Sequence, residues 1–261
     1  MTAAEARVEL FEIFSSVQGE GPHVGESTLF IRTARCDLRC AWCDSPRTWG
    51  PARACRIEEP PGSGTFREVA NPLAPGLVLA EAERLGLAGH RMVSLTGGEP
   101  LLQASALAPL AAGLRARGPR VLLETHGLHA EALRVLLDHV DVVSMDWKLE
   151  SDVRWGPGAG AGRASFEALH EAFLRLARAA PEVVVKVVVT PRSREPELDR
   201  VVERVAALAP EATLVLQPAT PAGAVRSAPR PEVLLRALRR AEERLERVRL
   251  IPQTHPLLGV R

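Results

Sequence analysis

An open or partial β/α barrel, with about six parallel core strands and helices outside, is the fold that three features of this 261-residue sequence predict. Short runs rich in Val, Leu and Ile recur along the chain, and most are separated by stretches with helical spacing. The runs are continuous rather than alternating, as strands buried on both faces are. Polar, chemically capable residues follow one run after another, at the strand ends where parallel β/α folds hold ligands.

Taken in order, Leu29–Thr33 is the first expected strand and leads into a cysteine-rich loop. The segment from Gly50 to Gly76 is crowded with Pro and Gly and reads as a loop or small insertion, longer than ordinary connections. Strands are then expected at Met92–Thr96, Val121–Glu124, Val140–Asp146, Val183–Val189 and Thr213–Gln217, with a weak terminal one at Val248–Ile251. Helical spacing covers Ser105–Arg117, Ala130–Leu137, Phe166–Ala179, Glu197–Leu208 and Pro231–Val248. Six strong strands and one weak one are too few to close an eight-stranded barrel. With 46% hydrophobic residues the chain can bury one large core, so a single domain over residues 1–261 is expected, with an irregular insertion near 50–76.

Composition excludes some classes. A net charge of +1 gives no electrostatic footprint for nucleic acid. No apolar run approaches the length of a membrane span. Met1–Arg7 is polar and acidic, unlike a signal peptide, so a cytoplasmic protein with reduced thiols is expected. Lysine occurs only at Lys148 and Lys186.

Cys36, Cys40 and Cys43 are spaced C-x3-C-x2-C, so one curl of the loop brings three thiolates to a single soft-metal centre. A closed structural zinc site takes four protein ligands, and no second half-site exists; Cys55 stands alone in the Pro/Gly-rich stretch. The spacing favours an iron–sulfur site with one position open, and leaves zinc completed by Cys55 or a histidine as the alternative. The other strand ends carry Thr96-Gly97-Gly98-Glu99-Pro100, Glu124-Thr125-His126-Gly127, Ser144, Asp146 and Lys148, Thr190, and Gln217-Pro218. Any one of these is a turn or cap; six in the same structural position point to a site. The paired glycines would let a ligand approach the backbone closely. Lys186, inside an apolar run, needs a buried partner, Asp146 or Glu124, and reads as structural.

The cysteine motif, with Ser16-Val17-Gln18-Gly19-Glu20-Gly21, Phe30-Ile31-Arg32, Trp42-Cys43-Asp44 and the late Gln253-Thr254-His255-Pro256, resembles the 7-carboxy-7-deazaguanine synthases, a family of radical S-adenosylmethionine (SAM) enzymes. The resemblance implies that Cys36, Cys40 and Cys43 hold a 4Fe-4S cluster whose fourth iron binds SAM. It implies SAM contacts at Gly98, Glu99, Ser144, Asp146 and Gln217, and substrate contacts at Val17, Gln18, Gly19, Arg32, Thr96 and His255. It implies Mg²⁺ at Ser45. Three positions depart from the family's habit: Arg35 where Gly is usual, Asp37 where Asn is usual, and Ser45 where Thr is usual.

The reaction so implied belongs to deazapurine biosynthesis. An external donor such as flavodoxin or ferredoxin reduces the cluster, SAM is cleaved, and a 5′-deoxyadenosyl radical takes hydrogen from a carboxylated tetrahydropterin. The ring contracts, ammonia leaves and SAM is regenerated. A homodimer is expected by the same resemblance. Two other readings are a glycyl-radical-enzyme activase, against which the Gln18–Gly21 segment and His255 speak, and a zinc-stabilised binding module, against which the polar strand ends speak.

Overall fold

The computed structural model describes residues 6–160, 162 and 164–260. The strands in chain order are β1 (Leu10–Val17), β2 (Ser27–Thr33), β3 (Leu38–Cys40), β4 (Ala54–Glu58), β5 (Phe66–Ala70), β6 (Met92–Gly97), β7 (Arg120–Thr125), β8 (Val142–Asp146), β9 (Val153–Trp155), β10 (Glu182–Val189), β11 (Thr213–Pro218) and β12 (Val248–Leu250). The helices are α1 (Pro75–Arg84), α2 (Ala104–Arg115), α3 (Ala130–Leu136), α4 (Phe166–Ala177), α5 (Glu195–Leu208), α6 (Pro231–Glu242) and the single turn α7 (His255–Leu258).

Ten strands make one sheet, in the order β12-β11-β10-β8-β7-β6-β2-β1-β4-β5. From β2 to β12 every neighbouring pair is parallel, so the expected strands and the weak terminal one form the parallel part of an open barrel. Helices α1 to α6 each pack against the next and cover one face. That face carries the main core, in which Leu95, Leu107, Leu123, Val143, Phe173, Val185 and Leu214 are fully buried. No described helix is long and apolar enough to cross a membrane.

Three elements differ from expectation, each for a physical reason. Strand β1 is interrupted in sequence by Glu12, which hides it as an apolar run. In the fold that carboxylate is fully buried and ion-paired by Arg32 on β2 (3.2 Å) and Arg56 on β4 (3.5 Å). The Pro/Gly-rich segment is not irregular throughout. It forms the β4–β5 hairpin, with β4 parallel to β1, and then opens α1 with Pro75, whose missing N–H costs nothing at a helix start. Helix α6 ends at Glu242 rather than continuing to Val248, because Val248 joins the ladder beside Leu214 on β11.

The opposite face of the sheet is layered by the two-residue period of its strands. Met92, Leu122, Val142, Val184 and Val215, one from each of five neighbouring strands, form a dry floor. Two residues further along the same strands stand Ser94, Glu124, Ser144, Lys186 and Gln217. One step of the pleat therefore turns an apolar layer into a polar one, at the carboxyl ends of the strands.

Candidate active site

Above this polar layer lies a pocket walled by the loop after β2, the β1 exit, the strand ends and the last helix. Its lining contains Cys36, Cys40, Cys43, Ser45, Gly98, Ser144, Asp146, Gln217, Val17, Gln18, Gly19, Arg32, Thr96 and His255. Glu99 is the expected site residue that does not line it. Its fully buried carboxylate accepts from Leu101 N (3.0 Å), Thr125 Oγ1 (2.7 Å) and His126 N (2.9 Å), so it ties β6 to β7 beneath the wall.

The two glycines are required by the chain's own backbone rather than by a ligand alone. A Cβ on Gly98 would stand 2.1 Å from the carbonyl oxygen of Arg35, and one on Gly97, at φ +113°, would stand 2.5 Å from the backbone of Thr33. They allow β6 to lie against the residues just before Cys36. Gly19 has a similar reason: a Cβ there would come 2.5 Å from His255 Nδ1. Thr254 N donates to Gly19 O at 2.8 Å, so the C-terminal turn is pinned over the Gln18-Gly19 segment.

The cysteine loop is also held through Asp37, which does not itself line the pocket. Asp37 accepts from His126 Nε2 (2.9 Å) on one oxygen and from His129 Nε2 (3.0 Å) on the other. Burial pushes the Asp37 carboxyl up, but these two histidines pull it far below the usual carboxylate range. All three ligand atoms lie within 4.8 Å of one another, a spacing a metal ion could also use. Here the carboxylate oxygens and the ring nitrogens already satisfy each other.

The donor set fits a soft metal centre. Burial pushes the Cys36 thiol up to about 12 and Cys40 up to about 11, and raises Cys43 as well. As bare thiols they stay protonated, and a bound metal is what draws such protons off. Cys55 lies apart on β4, fully buried in the helix-side core beside Ile57 and outside the pocket lining.

Charge in the pocket is closely matched. Lys148 Nζ stands 2.8 Å from Asp146 Oδ2, and Lys186 pairs with the same oxygen at 3.3 Å and with Glu20. Burial works against both ammonium groups, but Asp146 beside Lys148, and Glu20 and Asp146 beside Lys186, raise both above the ordinary lysine range. Gln253 donates to Glu20 at 2.6 Å, which ties the C-terminal segment into the same network. Glu124 accepts from Ser94 Oγ (2.6 Å) and Gln18 Nε2 (3.0 Å). Lys186 is thus a pocket residue with two acidic partners, of which Asp146 is expected from sequence and Glu20 is not. Glu20, Glu124, His126, Lys148 and Gln253 also line the pocket. The signal for them was present, since each lies in a strand end or motif already singled out.

Two buried acceptors, Asp146 Oδ1 and Gln217 Oε1, have no hydrogen-bond partner among the described residues. Buried acceptors are normally satisfied, so a ligand's O–H or N–H groups suit this position. Ser45 Oγ donates to Asp44 Oδ1 at 2.8 Å at the pocket rim, which sets two hard oxygens side by side.

Comparison with known proteins agrees with this architecture. Residues 30–205 match the family model described as the radical SAM superfamily. The chain is 37% identical over 254 residues, 96% of its length and 97% of the relative's, to 7-carboxy-7-deazaguanine synthase of Geobacter sulfurreducens. It is 33% identical to the synthase of that name from Thermococcus kodakarensis, covering 82% of this chain and 85% of the relative. Among solved structures, QueE from Escherichia coli superposes with a TM-score of 0.57 at 25% identity, over 81% of this chain and 83% of that one. An archaeal TYW1 structure, with a TM-score of 0.52 at 12% identity, covers 84% of this chain and 72% of its own and shares the fold.

Proposed function

Because the chain belongs to the radical SAM superfamily, and within it to the 7-carboxy-7-deazaguanine synthases, we propose that it contracts the ring of 6-carboxy-5,6,7,8-tetrahydropterin to 7-carboxy-7-deazaguanine with loss of ammonia. The observation that carries this reading is the convergence on one pocket of three cysteines, the Gln18-Gly19 segment, Arg32 and His255, which are far apart in sequence.

Cys36, Cys40 and Cys43 would hold the 4Fe-4S cluster, leaving one iron to SAM. When bound, cluster and SAM supply the radical that abstracts hydrogen. The chain's own residues bind, orient and exclude water. Gln217 and Asp146 offer unsatisfied acceptors to the hydroxyl and amino groups of SAM, with Ser144 and Gly98 alongside. Arg32 gives Nη1 to Glu12 and, with five N–H groups, has donors left for a substrate carboxylate. Lys148 and Lys186 are the other cations in the pocket, but each is engaged by Asp146 or Glu20, so Arg32 is the better partner. Val17, Thr96, Gln18 and Gly19 flank the space left for the pterin, and His255 closes it from the C-terminal turn. Mg²⁺ would sit at Ser45, where the neighbouring Asp44 carboxylate adds a second hard oxygen. An external electron donor and a homodimer belong to the same proposal.

The test is anaerobic incubation of reconstituted protein with dithionite, SAM and the carboxylated tetrahydropterin, followed by mass spectrometry. The expected product is 7-carboxy-7-deazaguanine, with one ammonia per product and SAM conserved over many turnovers. Absence of product while SAM is cleaved would remove this substrate. Titrating the same assay with Mg²⁺ is expected to show a higher requirement for Ser45→Ala. Superimposable curves would take Ser45 out of the metal site.

A further inference from the structure

On the outer side of the cysteine loop lies a second, open groove, and it borders Cys40 and Cys43 from behind. It is built on a two-stranded sheet in which β3 pairs antiparallel with β9. Side chains alternate across a strand, so Leu38 and Cys40 face the pocket while Arg39 faces the groove. Directly opposite Arg39 in the register is Arg154, on β9, and its side chain lines the same groove.

Two like charges facing each other across a ladder are destabilising. Among the described residues neither arginine has an ion pair, and Arg39 lies instead over the Trp49 ring at 4.6 Å. Arg192, mostly exposed, adds a third cation, although it partly serves the buried Asp152 at 3.4 Å. Trp49 lines the groove beside Arg39, and exposed Glu150 and buried Asp152 share the lining, so the groove carries three cations against two carboxylates. An aromatic side chain among uncompensated cations suits a transient protein interface, and an anionic partner surface relieves the facing arginines.

We propose that this groove docks the cluster's electron donor, a small acidic electron-transfer protein whose carboxylates meet Arg39, Arg154 and Arg192. The inference rests on the functional reading above, since only a protein whose cluster must be reduced needs a donor. Seated there, the donor lies against the β3–β9 layer that carries Cys40 and leaves the substrate pocket unobstructed. With a flavodoxin, one electron leaves the flavin hydroquinone, which becomes the semiquinone, and enters the cluster, which passes from the 2+ to the 1+ state. No bond forms or breaks and no proton moves.

Arg154 is the residue to change, because Arg39 also holds the loop carbonyls of Cys36 (3.0 Å) and Leu38 (2.7 Å). Binding of oxidised flavodoxin to the cluster-loaded protein is measured by calorimetry, beside SAM cleavage driven by reduced flavodoxin or by dithionite. Arg154→Glu is expected to weaken flavodoxin binding about five- to tenfold, and to flatten its salt dependence, because a rim charge is being reversed. Flavodoxin-driven cleavage falls in step while dithionite-driven cleavage stays at the wild-type rate. Arg134→Glu, on the far helix α3, leaves both unchanged. Wild-type flavodoxin affinity in Arg154→Glu would overturn the docking site while dithionite-driven activity still upholds the enzyme. Failure of dithionite to drive SAM cleavage in the wild type would instead overturn the functional reading, with the binding measurement still deciding the groove. Equal loss with both reductants would mean that Arg154 shapes the cluster loop, and would overturn its part in docking.

Discussion

Arg35, immediately before the first cysteine, works against its own backbone. It is a non-glycine residue at φ 73°, where an L side chain crowds the following carbonyl. Its guanidinium partly offsets this by pairing with Glu9 at 2.8 Å. The glycine usual here in the resembling family would take the same conformation without the crowding. Arg35→Gly and Arg35→Ala both lose the Glu9 pair, so the difference between them isolates the backbone. Arg35→Gly is expected to be about 1 kcal/mol more stable than Arg35→Ala in denaturant unfolding. An alanine variant as stable as the glycine variant would show that the strain is relieved elsewhere. Residues whose chemistry lies in contiguous motifs, such as the three cysteines and Gln18-Gly19, were legible in the sequence. The reason for Gly98 was not, because the obstructing atom is a carbonyl 63 positions away in the chain. Glu99 likewise looked like a ligand-binding residue, since two of the three donors that use up its carboxylate belong to the end of β7 and the turn after it.

At the scale of elements, α4 contributes a pH dependence through His170. Its ring is fully buried, stacks on Trp147 at 4.8 Å and meets the His126 carbonyl at 3.0 Å through Nε2. Burial holds it neutral, with the pKa lowered to about 3. Between about pH 3 and 6.5 the unfolded chain binds a proton at this histidine that the folded chain does not. Its contribution is therefore complete above pH 6.5 and declines as pH falls, with a limiting slope of about 1.4 kcal/mol per pH unit. His23 acts in a separate window. The Glu182 hydrogen bond raises its pKa, so its contribution is complete below 6.5 and is lost as pH rises above that. His170→Phe is expected to flatten the stability profile between pH 5 and 6.5, where the perturbed carboxylates of the fold stay ionised. A profile parallel to wild type would mean that the folded protein protonates His170 readily. The helix itself was readable from spacing, but the burial of His170 was not. The β4–β5 hairpin was not, because Pro and Gly dominate its turns and its strands are five residues each.

At the scale of the molecule, a parallel sheet covered on one face by helices leaves its other face free to change from apolar to polar within one pleat. The floor of Met92, Leu122, Val142, Val184 and Val215 and the layer of Ser94, Glu124, Ser144, Lys186 and Gln217 make that change. The alternation of strands and helices was legible because each strand is a continuous apolar run. Which polar residues share a face was only partly legible, since it depends on strand register as well as order. The same geometry separates the two surfaces of the cysteine loop, one toward the pocket and one toward solvent. It also removes Cys55 to the helix side of the sheet. The central claim is that three thiolates, and not four, hold a cluster with one iron open to SAM. Iron and sulfide content, with the electron paramagnetic resonance spectrum of reduced protein before and after SAM is added, tests it in the wild type and in Cys55→Ala. The account predicts about four irons per chain in both proteins and a spectrum that changes with SAM, as a three-cysteine 4Fe-4S site requires. Loss of the cluster in Cys55→Ala, or a spectrum indifferent to SAM, would contradict it.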